Sequence, residues 1–226
     1  MDSRLGSNQL LAALPAKDFE LLASYSKTIT FEPGDLLIGE GEEVTNVFFP
    51  HSGMLSIQVV MRDGRAVETS LVGREGVVGA MAALGLHNSF SRVVAHVPLT
   101  VSQISAARMR RIASASTAVR DLCVQFNEKL LSQAQITAAC NVLHTLDQRF
   151  CRWLLQSTNR TQSNEVHLTQ DQLAGILGVT RTSVTEVARK MLGNGAISYA
   201  RGKIAVLDRK MLAANGCECY RMERNS

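Results

Sequence analysis

The stretch from Leu168 to Lys203 leaves few folds open to this chain: L-T-Q-D-Q-L-A-G-I-L-G-V-T-R-T-S-V-T-E-V-A-R-K-M-L-G-N-G-A-I-S-Y-A-R-G-K. Thr169 can cap a helix that begins at Gln170, and Gln172 sits three residues on, as a capping box requires. Leu173, Ile176 and Leu177 recur at helical spacing, so this helix buries one face. Gly178 supplies the backbone freedom of a tight interhelical turn. Thr180 is placed to cap a second helix, Arg181 to Leu192. Its Val184, Val187, Ala188 and Met191 turn toward the first helix, while Arg181, Thr182, Thr185, Glu186 and Arg189 line the opposite face. Gly193-Asn194-Gly195 ends it. Ile197-Ser198-Tyr199 and Ile204-Ala205-Val206, joined through Ala200-Arg201-Gly202-Lys203, form a two-stranded wing.

This order of cap, helix, glycine turn, polar-faced helix and basic hairpin is a winged helix-turn-helix, and it implies binding of duplex DNA. A helix of this width lies in the major groove and offers its polar face to base edges. Thr180, Thr182, Ser183 and Thr185 are candidates for base or phosphate contacts. Thr169 and the amide of Gln170 suit a phosphate at a helix N-terminus. Arg201 and Lys203 at the wing tip suit phosphate contacts. Glu186 is open to two roles: accepting a hydrogen bond from a base, or pairing along the helix with Arg189 or Lys190. The competing reading is a helical hairpin that only packs, or one that recruits a protein.

The distribution of charge agrees. Residues 1–140 hold 12 Lys+Arg against 13 Asp+Glu, and residues 141–226 hold 12 against 7. The positive excess therefore lies wholly in the part carrying the proposed reader, where phosphate neutralisation uses it. With 46% apolar residues in 226, the chain can bury a large core or two ordinary ones. No run approaches the roughly 18 apolar residues of a membrane span. No apolar export segment opens the sequence, so a cytoplasmic location is expected.

The five cysteines, Cys123, Cys140, Cys151, Cys217 and Cys219, do not form a disulfide pattern. The first three fall on helical apolar faces and read as buried thiols. Cys217-x-Cys219 lies in a polar tail and is open to a metal or redox role, but without a visible second pair it is a weak signal, and no metal site is assigned to it.

Taken in order, the chain opens with a short helix, Leu10 to Leu14, halted at Pro15, and a second from Asp18 to Tyr25 with Phe19, Leu21 and Leu22 inward. From Ile29 to about Ile104 glycines punctuate short apolar runs: Leu36-Leu37-Ile38, Val47-Phe48-Phe49, Leu55 to Met61, Ala66 to Val72, Arg92 to Val97 and Leu99 to Ile104. Arg62-Asp63-Gly64-Arg65 is the clearest hairpin signal. Many short strands at near-regular spacing indicate an antiparallel barrel or jelly roll, interrupted by a short helix from Gly79. Residues 106 to about 139 are helical again. Val119, Leu122, Phe126, Leu130, Gln133 and Thr137 form a near-heptad seam, which invites a second copy of the chain. Asn141 begins another helix, with Val142, Leu143, Leu146, Phe150, Trp153 and Leu154 as its apolar stripe. Gln156 to Glu165 reads as a polar loop. The domain boundary is placed near 140, giving a sensor domain over 1–140 and a DNA-binding domain over 141–226.

F-E-P-G-D-L-L-I-G-E-G-E (Phe31 to Glu42), V-F-F-P-H-S-G (Val47 to Gly53) and L-T-Q-D-Q-L-A-G-I-L-G-V-T-R-T-S-V (Leu168 to Val184) resemble segments of the CRP/FNR family of bacterial transcription factors. The resemblance covers nearly the whole chain. It implies an α+β architecture: an N-terminal cyclic-nucleotide-binding-like barrel, a long dimerisation helix and a C-terminal winged helix-turn-helix. It also implies a homodimer that reads palindromic DNA under control of an effector, with RNA polymerase as a further partner if the protein activates. Arg181 matches the family's base-contacting arginine, suited to guanine O6 and N7. Glu186 falls where many members place another base reader.

The effector positions depart from the nucleotide-binding members. The segment Gly79-Ala80-Met81 carries no glutamate for a ribose hydroxyl, because Ala80 stands there. Arg92 keeps the phosphate-binding arginine, but Val93 replaces the neighbouring hydroxyl. Ala134 and Gln135 stand where the base meets a polar pair. Cyclic AMP is therefore not expected. Residues 1–122 hold no cysteine, which argues against the family's iron–sulfur cluster. His51, His87 and His96 are isolated in strand regions and do not suggest haem. Without a nucleophile–base constellation or a histidine cluster on the barrel, no enzymatic activity is expected. The sequence assigns neither an effector nor whether one exists.

Overall fold

A computed structural model describes residues 7–85, 88–200 and 202–225. His87 and Arg201 lie outside the described residues. The chain divides into two compact units, Met1–Ile57 with Leu71–Leu131, and Gln58–Ser70 with Ser132–Ser226.

In the first unit, Asn8 caps helix α1 (Gln9–Ala12), and helix α2 (Ala16–Ser24) follows Pro15 directly. Leu22 is fully buried and Phe19 packs on the core, but Leu21 is exposed, against expectation. The strands that follow are β1 (Lys27–Phe31), β2 (Leu36–Ile38), β3 (Asn46–Ser52), β4 (Leu55–Val60), β5 (Ala66–Val72), β6 (Arg92–Ala95) and β7 (Leu99–Ser105), of which the 58–70 portions of β4 and β5 belong to the second unit. They pair as two open sheets, β1-β7-β3 and β2-β6-β4-β5, with no ladder joining them among the described residues. The architecture is the jelly-roll form of the expected fold rather than a closed barrel. The ladders shift register at Leu36/Ile38 and at Pro50/Ser52. Pro50 has no amide hydrogen to give to a ladder, which suits it to such an irregular position. β1 is not evident in the sequence, because K-T-I-T-F alternates with only two apolar residues facing the core.

Phe49, Leu55, Val72, Val93 and Val101 unite both sheets in a single apolar cluster. A 3-10 turn, Ala80–Ala83, fills the stretch after Gly79. Met61 and Arg65 close the β4–β5 hairpin with a 2.7 Å amide–carbonyl bond, and Gly64 at φ +83° takes the left-handed turn position.

The helical region over 106–139 is two helices. Helix α3 (Ala106–Ala115) ends where Ser116 adopts an extended conformation, and helix α4 (Thr117–Leu143) follows without a further break. The seam read from sequence is the inward face of α4: Val119, Phe126 and Gln133 are buried within the single chain, and Leu122, Leu130 and Thr137 are half-buried. Phe126 occupies the space beside Gly76, where a side chain would place its Cβ 2.3 Å from the Phe126 ring. α4 exposes instead Val124, Leu131 and Val142. Val142 and Leu143 thus belong to the exposed end of α4 and not to the stripe of the next helix.

In the second unit, Thr145 and Gln148 form a reciprocal capping box at the start of helix α5 (Leu146–Thr161). Residues Phe150 to Thr158 are all buried, so α5 is the central post of this unit. Around it lie strand β8 (Glu165–His167), helices α6 (Gln170–Leu177) and α7 (Arg181–Gly193), strands β9 (Ile197–Ala200) and β10 (Lys203–Val206), and helices α8 (Arg209–Asn215) and α9 (Cys219–Asn225). The segment 156–165, read as a loop, is the last part of α5 and the start of β8. Its polar side chains are buried with partners: Gln156 donates to Glu223, Ser157 to the Trp153 carbonyl, and Thr158 to the Leu154 carbonyl. Glu223 on α9 is remote in sequence, so polarity at Gln156 does not mean exposure.

Candidate nucleic-acid interface

α6 and α7 form as their caps dictate. Thr169 Oγ1 accepts from the Gln172 amide at 3.2 Å, and Gln172 Oε1 accepts from the Thr169 amide at 2.8 Å. α6 stops at Gly178, whose φ of +64° is left-handed, and the Val179 amide returns to the Ala174 carbonyl at 3.0 Å. Thr180 Oγ1 accepts from the Ser183 amide and starts α7. Leu173, Ala174, Ile176 and Leu177 from α6 and Val184, Val187, Ala188 and Met191 from α7 are buried, which fixes the two helices together. The Arg149 guanidinium from α5 donates to the Leu177 carbonyl, and Lys190 pairs with Asp147 on α5.

The outward face of α7 is as expected. Arg181, Thr182, Glu186 and Arg189 are exposed, while Ser183 and Thr185 are half-buried. Arg181 Nη1 stands 3.3 Å from Asp171 Oδ2, both side chains about two-thirds exposed (65% and 67%). Thr185 Oγ1 donates to Gln170 Oε1 at 2.7 Å, so two predicted contact residues hold each other across the helix pair. Glu186 is not ion-paired with Arg189 or Lys190 among the described residues; Lys190 goes to Asp147 instead.

The wing gains a strand: β10 pairs with β9 on one side and β8 on the other, giving the order β8-β10-β9. Lys203 pairs across it with Glu165 at 2.7 Å. Thr169, Gln170, Asp171, Arg181, Tyr199, Ala200 and Gly202 line one cleft of about 370 Å³. Tyr199 and Asp171 are not among the contact residues expected from sequence. The Tyr199 hydroxyl donates to the Leu168 carbonyl at 3.2 Å, and burial raises its pKa. Its place two residues from buried Ile197, on the same face of β9, was the available signal.

The candidate effector positions fall in the first unit. Gly79 precedes the 3-10 turn, Ala80 and Val93 belong to the apolar core, and Arg92 is half-buried at the start of β6. One grouping is only half visible to sequence reasoning, which singles out Cys217 and Cys219 alone: Cys140, His144, Cys217 and Cys219 converge. The second pair thought lacking for Cys217 and Cys219 is Cys140, on the last turn of α4, and His144, which directly follows that helix. The His144 amide still donates to the Cys140 carbonyl at 3.1 Å, so the two residues stand one helical turn apart. A Cys-x3-His spacing at a helix end was the signal.

Comparison with known proteins bears on both units. The cyclic nucleotide-binding domain model matches residues 28–116, and the Crp-like helix-turn-helix domain model matches residues 148–214. The chain belongs to the CRP/FNR family. Its fold is shared with a CRP/FNR-family transcriptional regulator from Eubacterium rectale (TM-score 0.71, 20% identity, covering 97% of this chain and 99% of that one). It is also shared with FixK2 from Bradyrhizobium japonicum (0.73, 16%, 85% and 98%). A third such structure is TTHA1359, a CRP/FNR-family regulator from Thermus thermophilus (0.69, 21%, 83% and 97%). Comparison with curated protein sequences gives no match. This CRP/FNR-family member is a DNA-binding transcription regulator with a cyclic-nucleotide-binding-type domain. Among its described residues no helix is long and apolar enough to cross a membrane.

Proposed function

We propose that this regulator is a cytoplasmic homodimer that reads an inverted repeat through α7, with no enzymatic activity of its own. The observation that carries this reading is the exposed row Arg181, Thr182, Glu186 and Arg189 on a helix fixed by its cap and a buried face. Arg181 reads a guanine, and Asp171 keeps its guanidinium oriented before DNA arrives. Glu186, not ion-paired along its own helix, accepts from a cytosine amino group. Thr169, Gln170, Thr180, Thr182, Ser183 and Thr185 set the frame against phosphates, and Lys203 adds a wing contact.

Pairing of two copies uses the face of α4 that its own unit leaves open. Val124 and Leu131 lie seven residues apart there, both exposed. Any effector that controls it is a small molecule other than cyclic AMP. The side chains of Ala80 and Val93 are committed to apolar packing and offer no polar group to a ribose or phosphate. RNA polymerase is the further partner if the bound site activates.

Selection of bound duplexes from a random pool tests this reading. An inverted repeat with half-sites about one helical turn apart, near 34 Å, is expected. Recovery of no enriched sequence, or of one unrepeated half-site, would contradict it.

A further inference from the structure

We propose that Cys140, His144, Cys217 and Cys219 form a closed tetrahedral site for a soft divalent cation of the zinc class, pinning the last turn of α4 to the C-terminal stretch. Cys140 and His144 lie four residues apart, one turn along the end of α4, and so fall on one face. Cys217 lies in the segment joining α8 to α9, and Cys219 opens α9. Cys140 Sγ is 3.6 Å from Cys217 Sγ, Cys219 Sγ is 3.6 Å from His144 Nδ1, and all four ligand atoms lie within 4.8 Å of one another. Bonds of about 2.3 Å to sulfur and 2.0–2.1 Å to nitrogen put tetrahedral sulfurs about 3.8 Å apart and sulfur and nitrogen about 3.5 Å apart. The two 3.6 Å separations already match those edges.

Two observations outside the four ligands point the same way. His144 Nε2 lies 3.3 Å from Glu218 Oε2. A carboxylate there fixes the ring hydrogen on Nε2 and leaves the Nδ1 lone pair facing the sulfurs, the arrangement that orients a metal-bound imidazole. The second is Arg152. It is only 5% exposed, and its Nε and Nη1 have no hydrogen-bond partner among the described residues. A buried guanidinium in that state needs a counter-charge. Three thiolates, one dication and a neutral histidine carry a net charge of −1, which Arg152 balances. The hydrogen bond to Cys217 and burial raise the Cys140 thiol, and burial chiefly raises Cys219; the charge of Arg152 works against both.

The site is of the structural kind. Cys140, Cys217 and Cys219 are buried, and the His144 side chain is 13% exposed, so four protein ligands leave no position for substrate. Binding replaces three S–H bonds by three metal–sulfur bonds and releases three protons to solvent. The ion then closes a loop between residues 140 and 219 around α5, α6 and α7.

The test is metal analysis of the full chain purified under reducing conditions. One zinc per chain that survives desalting is expected, with Co2+ in its place giving thiolate charge-transfer and intense tetrahedral ligand-field bands. Glu218→Gln, at a side chain 70% exposed, keeps the fold and weakens zinc binding about 10–100-fold. Cys219→Ser loses the cobalt charge-transfer intensity of one thiolate. If Cys219→Ser does not fold, titrating wild-type thiols with a mercurial reagent must release the zinc stoichiometrically. The proposal is overturned if the reduced protein takes up no equimolar Zn2+. It is equally overturned if Cys140 and Cys217 are found joined in a disulfide, or if bound metal is unaffected by both variants.

Discussion

Trp153 Nε1 donates to Glu68 Oε1 at 2.7 Å, with both residues buried. Glu68 sits in the Gln58–Ser70 segment, and Trp153 in the middle of α5, so this bond secures the hairpin end to the post of its unit. Removing the acceptor strands an indole N–H in the interior. Glu68→Ala is expected to cost about 1–3 kcal/mol, and Glu68→Gln less, because an amide oxygen can still accept. Trp153 is the single tryptophan, so its fluorescence in urea reports the change directly. An unaltered midpoint in Glu68→Ala would remove this bond from the account.

Gly178 is held at φ +64° between the two reader helices. A Cβ there would meet only Val67 Cγ2 at 3.4 Å and Cγ1 at 3.7 Å, so space is not the obstacle. The left-handed backbone is. Gly178→Ala should lower stability by about 1–2 kcal/mol, whereas Gly178→Asn, which tolerates that region, should lose less. Thermal unfolding of the pair checks the order, and the reverse ranking would show that the turn is not limiting.

α4 separates folding from pairing. Phe126 is 3% exposed, and Leu131 is 56% exposed. Phe126→Ala should cost about 3–5 kcal/mol of unfolding free energy by opening a cavity in its own unit. Leu131→Glu should leave thermal unfolding of the separate chain intact while shifting sedimentation from dimer to monomer. A Leu131→Glu protein that stays dimeric places the pairing face elsewhere.

Lys203 is paired with Glu165 at 2.7 Å, which tempers its charge toward phosphate. Lys203→Ala should reduce the slope of log affinity against log salt by about one. Glu165→Gln should instead tighten binding to all duplexes, since it removes the competing carboxylate. Filter binding from low to physiological salt measures both; equal behaviour of the two variants would show that the wing tip does not touch DNA.

Much of the reader was legible because its determinants are local. Thr169, Gln172, Gly178 and Thr180 act on backbone close by in sequence, and each does what its chemistry dictates. The jelly-roll strands were legible for the same reason, through glycine turns such as Asp63-Gly64. What escaped was set by residues far apart. The stripe Val119–Phe126–Gln133 shows that a face is buried, but periodicity cannot say whether Gly76 or a second copy covers it. Gln156 read as part of a loop because its partner, Glu223, lies 67 residues away. Cys140 meets Cys217 across 77 residues, a proximity only the fold supplies.

Arg181→Ala tests the central claim most directly. Measured at physiological salt by footprinting and titration on the selected inverted repeat, the variant should lose about 1–3 kcal/mol per half-site while keeping its salt-dependent affinity for random duplex. An unchanged footprint with unchanged affinity would contradict the assignment of α7 as the base-reading helix.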